Sequence, residues 1–215
     1  GLGDVYKRQR LSVGAYGTLG VLTEVSLKVL PIPDKERTQV VECSQAEAME
    51  TLTRFGSRPY PISAAAWVEG ALSIRLSGAG SGVDSAAASI GGETRADTDQ
   101  FWDSLRDLNH VQFDQENNWL WRVSVAPTTP SDAIDSFGFD WGGGLRWVKT
   151  DPEDLSLFRL AESLGGHATC FARERKSGTG MQPLEPGILR LNQRVKEAMD
   201  PFGLINRGRL LEGYH

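Results

Sequence analysis

Cysteine and histidine are scarce in this sequence. The 215 residues include two cysteines and three histidines, and Cys43 and Cys170 lie far apart with no CxxC motif. The sequence therefore argues against a disulfide framework or a zinc knuckle. We expect both cysteines to be free thiols in strands, and we expect no metal site.

Long apolar runs and an excess of positive charge are also missing. No run reaches the roughly 18 apolar residues that a membrane-spanning helix needs. The formal net charge is −5, which argues against a surface built to bind nucleic acid. No signal-peptide pattern is visible. These absences predict a cytoplasmic, soluble protein that mixes helices and strands.

Glycine is abundant, with 24 residues in clusters that mark turns or close backbone approaches. The cluster over residues 14–20 reads GAYGTLG, a GxxGxxG spacing that leads into a predicted strand. A dinucleotide-binding Rossmann loop has GxGxxG spacing and enters a helix, so that interpretation fails. Backbone N–H groups of this loop could still approach an anion or a flat ring. A plain turn before an edge strand is an equally good interpretation.

Periodicity predicts the secondary structure. Alternating apolar residues over 21–30 predict a strand that ends at Pro31. Later patterns predict two successive helix–hairpin–helix series, the second including a helix capped by Asp151 and ending before Gly165. The predicted fold class is α+β, with two copies of a split βαβ unit forming an antiparallel sheet that has helices on one face. A stripe of apolar residues over 188–199 predicts one more helix.

Six segments of the sequence carry a resemblance to a known family. Two of them, GAYGTLGVLTEVSLKVLP and LNQRVKEAMDPFGLINRGRLLEG, resemble the end of the flavin-binding domain and the returning C-terminal tail of FAD-linked oxidases of the vanillyl-alcohol oxidase type. The other four are similar to one branch, the FAD-binding subunits of bacterial glycolate oxidase (glycolate dehydrogenase). These four are PISAAAWVEGALSIRLSG, WRVSVAP, DWGGGLRWVKT and GGHATCFA.

The resemblance implies a domain division. Residues 1–10 are a ragged or artefactual start, and residues 11–31 are the C-terminal end of a PCMH-type FAD-binding domain. Residues 32–183 form an antiparallel-sheet cap domain, and residues 184–215 return to the FAD domain as a helix and tail. The family pattern also implies that the chain is an N-terminally truncated fragment, which lacks most of the pyrophosphate and adenine contacts.

The resemblance also implies which residues bind the cofactor FAD. The family's flavin contacts fall on two parts of this chain, the glycine loop and the C-terminal turn: Gly14, Tyr16, Gly17, Thr18, Gly20, Val21 and Asn206. The family usually has a proline after the asparagine, where this chain has Arg207.

Catalytic residues are weakly indicated. His167 is the best single candidate for a base, although a hydrogen-bonded histidine at a strand end is the favoured alternative. Arg146 and Arg173 could clamp a carboxylate, or they could be surface arginines. The four tryptophans on or beside the predicted strands of the second series are expected to pack in the core: Trp119, Trp121, Trp141 and Trp147.

The function that the resemblance implies is an FAD-binding subunit of a complex that oxidises glycolate to glyoxylate. Its partners would be a larger flavin subunit and an iron–sulfur subunit, in the cytoplasm or at the inner membrane through the complex. One alternative is a self-sufficient FAD-dependent D-2-hydroxy-acid dehydrogenase of the D-lactate type. Another is an interaction subunit that has lost its flavin.

Overall fold

The chain divides into two compact units. The structure, a computed structural model, describes residues 10–114, 118–171 and 180–210. One unit, here called the terminal unit, consists of Gly1–Val29 together with Arg175–His215. The other, the sheet unit, is Leu30–Glu174. The assignment of these units to a flavin domain and a cap remains a prediction.

The sheet unit alternates strands and helices. Its strands are β1 (Lys35–Glu42), β2 (Ile62–Val68), β3 (Ala71–Gly78), β4 (Glu93–Thr94), β5 (Trp119–Ser124), β6 (Gly138–Asp140), β7 (Leu145–Thr150) and β8 (His167–Cys170). Its helices are α1 (Gln45–Gly56), α2 (Gly80–Ile90), α3 (Thr98–Arg106) and α4 (Ser156–Ser163). Short 3₁₀ turns lie at Val111–Phe113, Ser131–Ala133 and Trp141–Gly143.

The strands form one eight-stranded antiparallel sheet in the order β4-β1-β3-β2-β6-β7-β5-β8. The first four strands and the last four follow the same pattern, because β8-β5-β7-β6 repeats β4-β1-β3-β2. The strand order of a split βαβ unit is therefore present twice, although the second copy has only the 3₁₀ turn Ser131–Ala133 between β5 and β6, where the first copy has α1 between β1 and β2. The halves join at β2 and β6 through two residue pairs, Trp67 with Phe139 and Val68 with Gly138.

Helices cover both faces of this sheet. Leu72 and Ile74 of β3 pack under α1 and α2, and Trp121 of β5 packs under α4 on the same face. The neighbouring residues of the strands point the other way, and there Ala66 and Trp147 pack against α3. The prediction of helices on one face is therefore wrong for α3. The reason is that both faces carry large apolar side chains, and both must be covered.

Local capping explains where two helices begin. A capping box starts α1, since Ser44 accepts the Glu47 N–H and the Glu47 carboxylate accepts the Ser44 N–H. The helix predicted to start at Asp151 begins at Ser156 instead. Asp154, rather than Asp151, accepts the Ser156 N–H at 2.8 Å.

Residues 21–30 do not form the predicted strand. Their apolar side chains are exposed, with Val21 at 81% and Leu30 at 85%. An alternating pattern becomes a strand only beside a partner strand, and none of the described residues pairs with this segment.

Neither Cys43 nor Cys170 forms a disulfide bond. Cys170 is buried in β8 as expected, whereas Cys43 is partly buried and lies just after the end of β1. None of the helices within the described ranges combines the length and the apolar character needed to cross a bilayer.

Candidate functional site

The glycine loop of the terminal unit turns through left-handed backbone conformations. The φ angles are +77° at Gly14, +53° at Tyr16 and +69° at Gly17. Thr18 closes the turn, because both its N–H and its hydroxyl donate to the Ala15 carbonyl, at 3.0 and 2.6 Å. The Thr18 hydroxyl is therefore used inside the loop and not offered outward.

Several N–H groups of this loop are unused. Among the described residues, no acceptor receives the N–H of Gly14, Tyr16, Gly17, Leu19 or Gly20. A Cβ built on Gly14 or Gly20 would meet nothing within 4 Å. The loop therefore presents a row of free donors beside open space, an arrangement that suits an anion or the polar edge of a ring.

Asn206 joins the C-terminal turn to the glycine loop. Its Nδ2 donates to the Gly17 carbonyl at 2.9 Å across 189 residues of sequence. A Cβ on Gly17 would lie 2.9 Å from that Nδ2, so only glycine fits without displacing the amide. The structure thus brings together two of the predicted cofactor-binding residues, while their contact with FAD stays a prediction.

A buried ion pair, which the sequence analysis missed, holds the same two segments. The terminal unit contains α5 (Pro186–Met199), and Lys196 near its end is 5% exposed. The Lys196 Nζ donates to the Thr18 carbonyl at 2.7 Å, to the Ile205 carbonyl at 2.8 Å and to Asp200 Oδ2 at 2.5 Å. All three donors of the ammonium group are therefore satisfied. We call Lys196 and Asp200 the lysine clasp.

Asp200 completes the clasp on the side of the tail. Its Oδ1 accepts the Leu204 N–H at 3.0 Å, and its Oδ2 accepts the Ile205 N–H at 2.9 Å. The hydrogen bond from Lys196, followed by those from the two backbone N–H groups, lowers the pKa of Asp200 to about 2. The carboxyl is therefore ionised at neutral pH. The i,i+4 spacing is visible in the sequence, but such pairs are usually exposed, so spacing alone did not indicate this role.

A cavity of about 260 Å³ lies beside the loop and is lined by Gly14, Thr18, Val195 and Asn206 among others. Pockets that enclose an organic ligand usually measure about 300–1,000 Å³. The described residues of the terminal unit therefore offer a contact surface for part of a dinucleotide and do not enclose one.

The remaining predicted site residues lie apart from the cavity lining or outside the described residues. Val21 is exposed, and Tyr16 is 44% exposed. His167 begins β8, is exposed, and lies opposite Ser124 in the register. Arg173 lies outside the described residues. In the described ranges no group of three His, Cys, Asp or Glu side chains could hold a metal ion.

Arg146 and Trp141 differ from their predictions. Arg146 is 1% exposed, and it donates to the Met49 sulfur and to the Thr129 carbonyl, both at 2.9 Å. It is therefore neither a surface arginine nor an exposed clamp, and burial lowers its pKa. Trp121 and Trp147 are buried as expected, but Trp141 is 76% exposed and does not belong to the core.

Comparison with known proteins finds a similarity to a glycolate oxidase subunit. No family model matches the chain, and no solved structure matches it. The relative found is Glycolate oxidase subunit GlcE of Escherichia coli (strain K12), which is 41% identical over 210 residues and 95% of this chain. The chain spans 57% of the length of that relative. The resemblance predicted from the sequence is thereby confirmed.

Proposed function

We propose that the chain is an FAD-binding component of a glycolate oxidase. The observation that carries the proposal is the 41% identity to a glycolate oxidase subunit across nearly the whole chain. The free donors of the glycine loop support it.

The terminal unit fits a flavin dinucleotide chemically. The N–H groups of Gly14, Tyr16 and Gly17 would donate to phosphate oxygens or to the polar edge of the ring. Asn206 keeps its Oδ1 free of partners among the described residues, and that oxygen would accept from a ring N–H. FAD, when bound, supplies the capacity to accept two electrons from a C–H bond.

The lysine clasp would set the geometry of this surface. Lys196 fixes the Thr18 carbonyl, and Asp200 fixes the N–H groups of Leu204 and Ile205, so the loop and the turn are held to the same two side chains. The buried pair needs no rearrangement when a ligand arrives. This preorganisation would reduce the entropic cost of binding.

The proposed reaction is the oxidation of glycolate to glyoxylate, with electrons passing to a larger flavin subunit and an iron–sulfur subunit. His167 is the one candidate base, and the described ranges contain no group of three His, Cys, Asp or Glu side chains that could hold a metal ion to assist it. We therefore propose that the larger subunit oxidises the substrate and that this chain holds flavin for electron transfer. The complex would be cytoplasmic or peripheral at the inner membrane.

The test is a titration of FAD with this chain, in which binding is monitored by the quenching of flavin fluorescence. Because the described residues supply only part of a dinucleotide site, we expect weak but saturable quenching at high chain concentration. Gly17→Val should weaken it further, at least about tenfold, because the added side chain meets the Asn206 amide. Gly91→Val is the matched control, since Gly91 also has a positive φ of +74° but lies in the sheet unit. Unchanged fluorescence with the original chain, or equal loss in both variants, contradicts the proposal.

Substrate addition separates the proposed role from its alternatives. We expect glycolate or D-lactate added without oxygen to leave the flavin of the isolated chain oxidised. Bleaching by either acid would instead favour the self-sufficient dehydrogenase. A folded chain that binds no FAD would favour the interaction subunit.

A further inference from the structure

A cleft in the sheet unit opens where the two halves of the sheet part. β2 and β6 pair only at Trp67–Phe139 and Val68–Gly138, so the earlier residues of β2 and the chain after Asp140 diverge. The cleft has a volume of about 840 Å³, within the range of pockets that hold organic ligands. The glycine loop and the lysine clasp contribute nothing to its lining.

Arg75 is held in this cleft with its charged end free. Its Nε donates to Ser63 Oγ at 3.0 Å, and its guanidinium lies over the Trp102 ring, 5.3 Å from the centroid. The Trp102 indole is fixed in turn, because its N–H donates to Thr38 Oγ1 at 2.9 Å. Neither terminal nitrogen of Arg75 has an acceptor among the described residues. A guanidinium fixed at Nε and open at both terminal nitrogens matches the two oxygens of a carboxylate.

Trp141 stands at the same cleft in a strained conformation. Its φ is +52°, which is rare for a large side chain, and its N–H donates to Asp140 Oδ1 at 2.6 Å. The indole is 76% exposed. Strained backbone conformations cluster at binding sites. Here the strain holds an aromatic ring in solvent, where a ligand could cover it.

The other charged groups leave Arg75 as the site for an anion. Arg106 is neutralised by Asp103 and Asp107, both with oxygens at 2.8 Å. Burial raises the pKa of the Asp140 carboxyl, whose Oδ1 already accepts the Trp141 N–H and is not hydrogen-bonded to Arg75. The lining also has an apolar part that includes Leu52, Ile62 and Leu105 beside Trp102 and Trp141. A very small acid would leave most of this volume unfilled.

We propose that this cleft binds an organic monocarboxylate with a flat apolar body, its carboxylate on the terminal nitrogens of Arg75 and its body against the indoles of Trp102 and Trp141. The proposal is independent of FAD and of glycolate oxidation. It assigns the sheet unit a small-molecule site of its own. The ligand class follows from one free guanidinium beside two aromatic rings.

The test uses benzoate as the probe. Acetate, which keeps the carboxylate but lacks the ring, and benzyl alcohol, which keeps the ring but lacks the charge, are the comparison ligands. Binding to the chain is monitored through the nuclear magnetic resonance signals of the indole N–H groups. We expect saturable shifts of the Trp102 and Trp141 signals, and an unchanged signal from Trp121, whose N–H is held by Thr150 in the core. Acetate and benzyl alcohol should each bind at least about tenfold more weakly, since each lacks half of the contacts.

Variants then assign the contacts. Arg75→Gln should weaken benzoate binding about 10- to 100-fold, and Arg75→Lys by less, because a charge remains. The matched control is Arg58→Gln, since Arg58 also lies over a ring, that of Tyr60 at 5.8 Å, but outside the cleft. An unchanged Trp121 signal shows that each variant is folded.

Three results would overturn the proposal. The first is the absence of benzoate shifts at Trp102 and Trp141. The second is equal binding by the original chain and Arg75→Gln. The third is tighter binding of glycolate than of benzoate, which would make the cleft a site for the substrate of the proposed reaction instead.

Discussion

The contact between Gly17 and Asn206 can be tested by alanine substitution at the three glycines of the loop. At Gly17 the φ of +69° and the 2.9 Å approach of Asn206 Nδ2 both oppose a Cβ. At Gly14 only the φ of +77° opposes it, and at Gly20 neither applies. The three positions therefore separate backbone strain from steric displacement.

The expected magnitudes follow from these two contributions. A non-glycine residue in the left-handed region costs about 1–2 kcal/mol. Loss of the hydrogen bond between Asn206 and Gly17 adds about 0.5–1.5 kcal/mol. Gly17→Ala should therefore cost about 1.5–3.5 kcal/mol, Gly14→Ala about 1–2 kcal/mol, and Gly20→Ala nothing or a slight gain.

Hydrogen exchange of the Thr18 amide measures this cost locally, because that N–H is bonded to Ala15 inside the loop. Exchange should accelerate about 10- to 400-fold in Gly17→Ala and about 5- to 30-fold in Gly14→Ala, and in any one comparison the Gly17 variant should exchange faster. Equal exchange in the Gly17 and Gly14 variants would refute the steric contact with Asn206. Acceleration in Gly20→Ala would refute the reasoning as a whole.

Two further predictions concern the lysine clasp and the tryptophans. Because folding lowers the pKa of Asp200 from 3.8 to about 2, its stabilisation is complete above pH 3.8 and is lost as the pH falls through about 2. Exchange of the Ile205 amide, corrected for its intrinsic pH dependence, should show this loss in the original chain and not in Asp200→Asn, and identical profiles would contradict it. Trp121→Ala should lower the free energy of unfolding by about 3–5 kcal/mol, whereas Trp141→Ala should change it by less than about 0.5 kcal/mol, as measured by urea denaturation. Comparable losses in the two variants would show that Trp141 packs in the core.

The sequence predicted the sheet unit well where periodicity and capping act over short distances. The Ser44 capping box and the duplicated strand order both follow from local patterns. The position of α3 did not, because the side of a sheet that a connecting helix occupies depends on which faces carry unpaired apolar residues. Ala66 and Trp147 need a cover on that face, and each is distant from α3 in sequence.

The candidate sites were predictable only in part. Glycine spacing marked residues 14–20, and the resemblance marked Asn206, but their contact spans 189 residues. Lys196 and Asp200 look like an ordinary exposed helix pair in the sequence, and only burial shows their role. Nothing in the sequence indicated a binding role for Arg75, because its position on a strand does not show that its guanidinium lies over the Trp102 ring.

The narrow junction of the sheet has a consequence for synthesis on the ribosome. The strand β2 is complete at Val68 and pairs on one side with β3, but β6, which pairs with its other edge, begins at Gly138, so about 70 residues must be added before that edge is paired. At the usual rates of about 5–20 residues per second, the edge of β2 stays open for about 4–14 seconds. The first half of the sheet can form from its own neighbours in that time. A nascent chain of this protein therefore carries an exposed strand edge, and a chaperone that shields such edges would act in this interval.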